Sequence, residues 1–173
     1  STSQDNSLYI NYIVTMRTHH AIFKEMGFAA RPGRLPEAVL YSLARTASLL
    51  VRELSQVYQR FGLTAASFNL LMLPKHGADP DAMSQQAIGT RLVVSASDMS
   101  GLVDRLETKG LVQRLPGKDR RSKLLRITPK GAALLDEVWP THLEAVERLT
   151  GAMAPRQAQR LVQALEQLRA TAA

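Results

Sequence analysis

A chain of 173 residues with 45% hydrophobic and 21% charged residues suits one domain, or one domain with helical additions at its ends, and excludes a disordered polyelectrolyte. Its net charge of +7 points to an acidic partner, either nucleic acid or a membrane surface. No stretch approaches the roughly 18 apolar residues of a spanning helix, the N-terminus lacks a signal-peptide pattern, and the absence of cysteine excludes disulfides, thiolate zinc sites and thiol redox switches; the expectation is a soluble cytoplasmic protein.

In chain order, a helix is expected over about Leu8 to Met26, followed by Gly27 and the breaker-rich RPGRLP. The next helix begins near Pro36, a good first-turn residue, and runs to about Phe61; Val39, Leu40, Leu43, Ala47, Leu50, Val51, Leu54 and Tyr58 recur along it at helical spacing. Gly62 ends it. Thr64 caps TAASFNLLMLPKHG, whose last turn Pro74 should distort. After the polar turn ADPDAM, Ser84 caps a short helix, SQQAIGTRLV, and beyond a break at Val93-Val94 Ser95 caps SASDMSGLVDRLETKG, closed by Gly110. The period then changes. LVQRL and KLLRI read as two strands of a hairpin joined by the basic loop PGKDRRS. Thr128-Pro129 starts a long helix that Pro140 should kink or divide, and a last helix runs from about Pro155 to Arg169 with Leu161, Val162, Leu165 and Leu168 as its stripe.

Two short helices around a tight turn, followed by a basic hairpin, form the grammar of a winged helix-turn-helix. A helix fits the major groove, where base edges carry a readable donor and acceptor code, and a hairpin can reach the adjacent minor groove, whose negative potential attracts arginine. On the helix after Ser95, Met99, Leu102, Val103 and Leu106 share one face at i, i+3, i+4 and i+7, leaving Ser97, Ser100, Gly101 and Asp104 on the other.

The run LVDRLETKGLVQRLPGKDRRSKLLRITPKG resembles the recognition helix, wing and following helix start of the multiple-antibiotic-resistance regulators, the MarR family. The marks are Asp104-Arg105-Leu106-Glu107, Lys109-Gly110-Leu111-Val112, Asp119-Arg120-Arg121 and Leu125-x-Ile127-Thr128-x-x-Gly131, and the core resemblance covers about residues 36–150. It implies a mainly α fold with a small β-hairpin wing: an N-terminal helical extension (1–35), dimerisation helices (36–62 and 129–173) and a winged helix-turn-helix lobe (63–128). It also implies a homodimer over a pseudo-palindromic operator in double-stranded DNA, acting as a repressor released by a small, often aromatic, ligand. The chain departs from the family at Ala96 and Gly101, where members often carry arginine, and at Val93, where the turn often has Gly.

The DNA-contacting candidates are Arg91, Ser95, Ser97, Ser100 and Arg105 around the recognition helix, and Lys118, Arg120, Arg121 and Lys123 in the wing. Asp119 suits the task of orienting a wing arginine. Asp98, three residues after Ser95, suits helix capping better than base reading, and a capping Ser95 is not free to read a base. Arg105 either contacts phosphate or pairs with carboxylates inside the fold. For the effector, Arg45 occupies the helix where the family presents an arginine to an aromatic carboxylate, a geometry a guanidinium matches with two parallel bonds. Tyr41, Phe68, Met72 and His76 are candidates for the pocket lining. The competing reading puts Arg45 with Arg52, Gln56 and Gln59 on a solvent-facing stripe.

No cofactor is expected. Of His19, His20, His76 and His142, the adjacent pair cannot both face one site from a regular helix; Asp79, Asp81 and Glu144 could complete a metal site only after folding. The chain shows no nucleophile elbow, Gly-rich phosphate loop or HExxH spacing, so an enzyme is not expected. The leading expectation is a ligand-responsive DNA-binding regulator; the alternative is an effector-independent architectural or activating DNA-binding protein.

Overall fold

The computed structural model describes residues 21–28, 35–76, 83–92, 95–117 and 123–172. The chain divides between Arg52 and Glu53 into two compact units. The first contains the end of helix α1, described over 21–25, and most of α2 (Leu35–Gln59). Ile22, Phe23 and Ala38 are its buried residues, with Tyr41 packed against them. The Tyr41 ring meets Phe23 edge-on at 5.7 Å, an arrangement that brings a positive ring edge to a negative ring face, and lies tilted against Phe28 at 5.3 Å. The expected N-terminal helix lies largely outside the described residues.

The second unit holds α3 (Ala65–His76), β1 (Met83–Ser84), α4 (Gln85–Leu92), α5 (Ala96–Thr108), β2 (Val112–Pro116), β3 (Lys123–Ile127), α6 (Pro129–Thr150) and α7 (Pro155–Ala172). The mainly helical fold with a small antiparallel sheet is the one expected, and the caps act as the sequence predicts. Thr64 Oγ1 accepts from Ser67 N at 3.1 Å, Ser84 Oγ from Ala87 N at 3.1 Å, and Thr128 Oγ1 from Gly131 N at 3.0 Å. Each satisfies a first-turn N–H that the helix itself leaves unpaired.

The sheet corrects the two-stranded expectation. Its order is β1-β3-β2, with Met83 opposite Leu125 on one side and Arg114 opposite Leu125 on the other. The added strand is only two residues long, too short for a period of two to register in the sequence. Leu125, with no exposed area, is the centre of the sheet and joins Leu70, Leu71, Ile88, Val103, Leu106, Leu135 and Val138 in the core.

Of the two expectations for Pro140, division does not occur: α6 runs from Pro129 through it to Thr150. Proline removes one backbone donor, but Val138 before it and Ala145 after it are both buried, so packing on each side keeps the helix continuous. Pro74 likewise sits inside α3.

Candidate nucleic-acid interface

The turn that ends α5 sets the position of everything after it. Gly110 has φ +69, a left-handed conformation that a side chain would strain. Its N–H donates to Glu107 O at 2.8 Å and the N–H of Leu111 donates to Leu106 O at 2.9 Å. This pair of bonds satisfies the last carbonyls of the helix, and buried Leu106 and Leu111 provide the accompanying apolar contact. Thr128 N returns to Leu111 O at 3.1 Å, so the end of the recognition helix, the wing and the start of α6 are tied at one point.

α5 divides its faces as the sequence predicts. Met99, Leu102, Val103 and Leu106 are buried, whereas Ser97, Ser100, Asp104 and Arg105 are exposed and Gly101 is half-buried. At its N-terminus, Ser95 Oγ accepts from Asp98 N at 3.2 Å, donates to Asp98 Oδ2 at 2.6 Å and lies 2.9 Å from Ser97 Oγ. Asp98 therefore serves the cap, and Ser95 is engaged with it; Ser100 presents its hydroxyl one turn further on.

Arg91 is exposed at the end of α4 and directs Nη1 at Met83 Sδ, 2.8 Å away. Lys123 is exposed at the start of β3, while Lys118, Arg120, Arg121 and Asp119 lie outside the described residues.

The carboxylates beside Arg105 bond to another arginine. Arg114, on β2, donates from Nη2 to Asp104 Oδ1 and from Nη1 to Glu107 Oε2, and its backbone N–H donates to Glu107 Oε1 at 3.0 Å. That backbone N–H and the Arg114 guanidinium together hold the Glu107 carboxyl below its usual range. Arg114 escaped the sequence reading; its signal was the i, i+3 carboxylate pair Asp104 and Glu107 preceding a strand arginine.

The effector candidates fall in both units. Tyr41 belongs to the aromatic group of the first unit, and Arg45 Nε donates to Glu25 Oε1 at 2.8 Å. In the second unit, Phe68 is buried and stacks on Tyr58 at 4.2 Å, Met72 packs against the core, and exposed His76 lies 5.9 Å from Trp139. Tyr58 Oη and His142 Nδ1 are hydrogen-bonded at 3.0 Å. Burial pushes the His142 imidazole below its ordinary pKa and the Tyr58 phenol above its own, favouring the neutral form of each. Among the described residues no group of three or more His, Cys, Asp or Glu is placed to hold a metal ion, and no helix is long and apolar enough to cross a membrane; His19 and His20 lie outside those residues.

A family model described as MarR family matches residues 61–122, from the α2–α3 turn into the wing. The HTH-type transcriptional regulator PecS of Dickeya dadantii (strain 3937) is 33% identical over 110 residues, a match that spans 63% of this chain and 66% of that protein. AbsC, a MarR family transcriptional regulator from Streptomyces coelicolor, superposes with a TM-score of 0.72 at 26% identity over 78% of this chain and 92% of its own. CouR from Rhodococcus jostii RHA1, solved bound to p-coumaroyl-CoA, gives 0.68 at 25% identity, covering 78% and 94%. With the matched segment falling on the helices and wing built above, this chain belongs to the MarR family of winged-helix transcriptional regulators.

Proposed function

We propose that the protein binds a specific, pseudo-palindromic operator as a homodimer, represses transcription there, and is released by a small aromatic carboxylate. The observation that carries the DNA-binding half is the face division of α5: four buried residues anchor it, and small polar side chains face outward; the sequence that follows carries the basic segment PGKDRRS. Ser97 and Ser100 permit close approach to base edges. Arg91, Ser95, Arg105 and Lys123, with Lys118, Arg120 and Arg121 in the wing loop, supply phosphate and minor-groove contacts. Residues 63–128 form the DNA-binding lobe; 36–62 and 129–173 supply dimerisation. The role is non-enzymatic.

Binding should therefore fall steeply with salt, because each cation at a phosphate displaces a counterion, and the target should be an inverted repeat with half-sites about one helical turn (roughly 10 base pairs) apart. Fluorescence anisotropy with upstream and random duplexes at physiological salt checks this; equal affinity for both removes the specific-regulator reading.

For the effector, Arg45 in the first unit supplies the two-pronged contact to the carboxylate; Tyr41 in that unit, and Phe68, Met72 and His76 in the second, are each candidates for a ligand contact. CouR was solved with an aromatic acyl thioester, which supports an aromatic ligand class here. A ligand that prefers the DNA-incompetent state must bind the DNA-bound form more weakly. An aromatic carboxylate should then raise the melting temperature and weaken operator binding together, and Arg45→Ala should abolish both responses while leaving DNA affinity nearly intact. Full ligand-induced release in Arg45→Ala would show Arg45 to be a solvent-facing partner of Glu25. Operator binding with no response to any aromatic acid would favour the effector-independent alternative.

A further inference from the structure

Asp104 continues the outward stripe of α5 one turn beyond Ser100, and its side chain is 62% exposed. Glu107 follows at i+3, 39% exposed. Two carboxylates on the helix nominated to enter a groove would face a lattice of phosphates and repel it. Arg114 grips both, and it does so at a disadvantage to itself: its Nε–H is buried with no acceptor. A partly exposed ion pair contributes modestly to stability, about 1 kcal/mol or less, and an unmet buried N–H offsets part of that. Folding alone therefore gives this arginine small reason to be where it is.

We propose that Arg114 is a positioning residue for DNA recognition: it cancels the carboxylates Asp104 and Glu107 on the recognition helix and fastens that helix to the wing strand β2, so that both elements present one compatible surface to the duplex. The inference rests on the DNA-binding reading above. It differs from a phosphate contact, because Arg114 acts through the two acids and not by touching DNA.

Arg114→Gln removes the charge and keeps the backbone N–H that donates to Glu107. With the duplex that wild-type protein binds, affinity should fall about tenfold at about 0.05 M salt and by no more than about twofold at about 0.3 M, because added ions screen the freed carboxylates from the phosphates. The thermal midpoint should stay within about 3 °C of wild type, as for a partly exposed pair whose loss also relieves an unmet buried N–H. Lys24→Gln, an exposed change outside the DNA-binding lobe and the dimerisation helices with the same loss of net charge, should leave affinity unchanged. The variant that also carries Asp104→Asn and Glu107→Gln should regain wild-type affinity at low salt. Unchanged binding by Arg114→Gln overturns the inference. So does a triple variant as weak as the single one, which would make Arg114 a DNA contact in its own right, and so does a salt-independent loss that follows a fall in thermal midpoint. Wild-type protein that binds no duplex overturns this inference and the DNA-binding reading together; intact wild-type binding confines any failure to Arg114.

Discussion

Gly131→Ala is expected to destabilise the protein by about 3 kcal/mol, the upper part of the range for forcing atoms into a filled site. A Cβ at Gly131 would stand 2.2 Å from Leu111 O and 2.9 Å from Ile127 Cγ1. The first neighbour is backbone, so no rotamer change relieves the overlap. The Leu111 carbonyl also accepts from Thr128 N, and Thr128 caps α6 through its hydroxyl to Gly131 N. Pushing Leu111 away thus strains the end of the recognition helix, the first residues of the wing and the cap of α6 at once. For a protein of this size the melting temperature should drop by about 6–12 °C, read by calorimetry or by the denaturant midpoint. Ala133→Ser, two residues on at an exposed position, serves as the control and should move stability by less than about 0.5 kcal/mol. A Gly131→Ala protein as stable as the control would show that the packing of α6 on Leu111 is looser than described.

Replacing Leu161 and Leu165 together by Asp is expected to convert a dimer into monomer or insoluble protein. Leu161, Val162 and Leu168 are 45%, 53% and 42% exposed on α7, and Leu165 between them is half-buried. A soluble chain rarely leaves such a stripe on one helix bare, since burying each leucine-sized side chain contributes about 1.5–3 kcal/mol. On the dimeric reading proposed above, a second copy presenting the same stripe would cover it symmetrically, as a two-fold interface requires. Placing two carboxylates in that seam would demand their burial without partners, which no hydrophobic contact offsets. Sedimentation velocity at micromolar concentration is the direct measurement. A stable, folded wild-type monomer would overturn the dimeric reading, and a double variant that still sediments as a dimer would move the seam off α7.

The sequence by itself determined the elements whose causes are local. Ser95, Thr64, Ser84 and Thr128 announce helix starts because a side-chain oxygen within three residues is all that a cap requires. The buried face of α5 follows from spacing alone, since Met99, Leu102, Val103 and Leu106 repeat at the period of the helix. Strand β3 was legible as KLLRI because the helical period stops there and a short apolar run follows a turn-forming basic loop. What only the tertiary structure decided depends on residues distant in the chain. β1 exists because Met83 and Ser84 find an open edge on β3, some forty residues later in the chain; two residues carry no period of their own. α6 continues through Pro140 because packing on both sides of it outweighs one missing donor. Gly131 could be seen as part of a motif, but the carbonyl that demands a glycine there belongs to Leu111. The acids of α5 could be seen as charges on an exposed face, yet their partner is fixed by where β2 leaves the Gly110 turn, which brings Arg114 rather than neighbouring Arg105 to them. Local propensity writes helices and caps into the sequence; pairing between distant residues is decided when the chain closes on itself, because only the packed core sets which side chains meet.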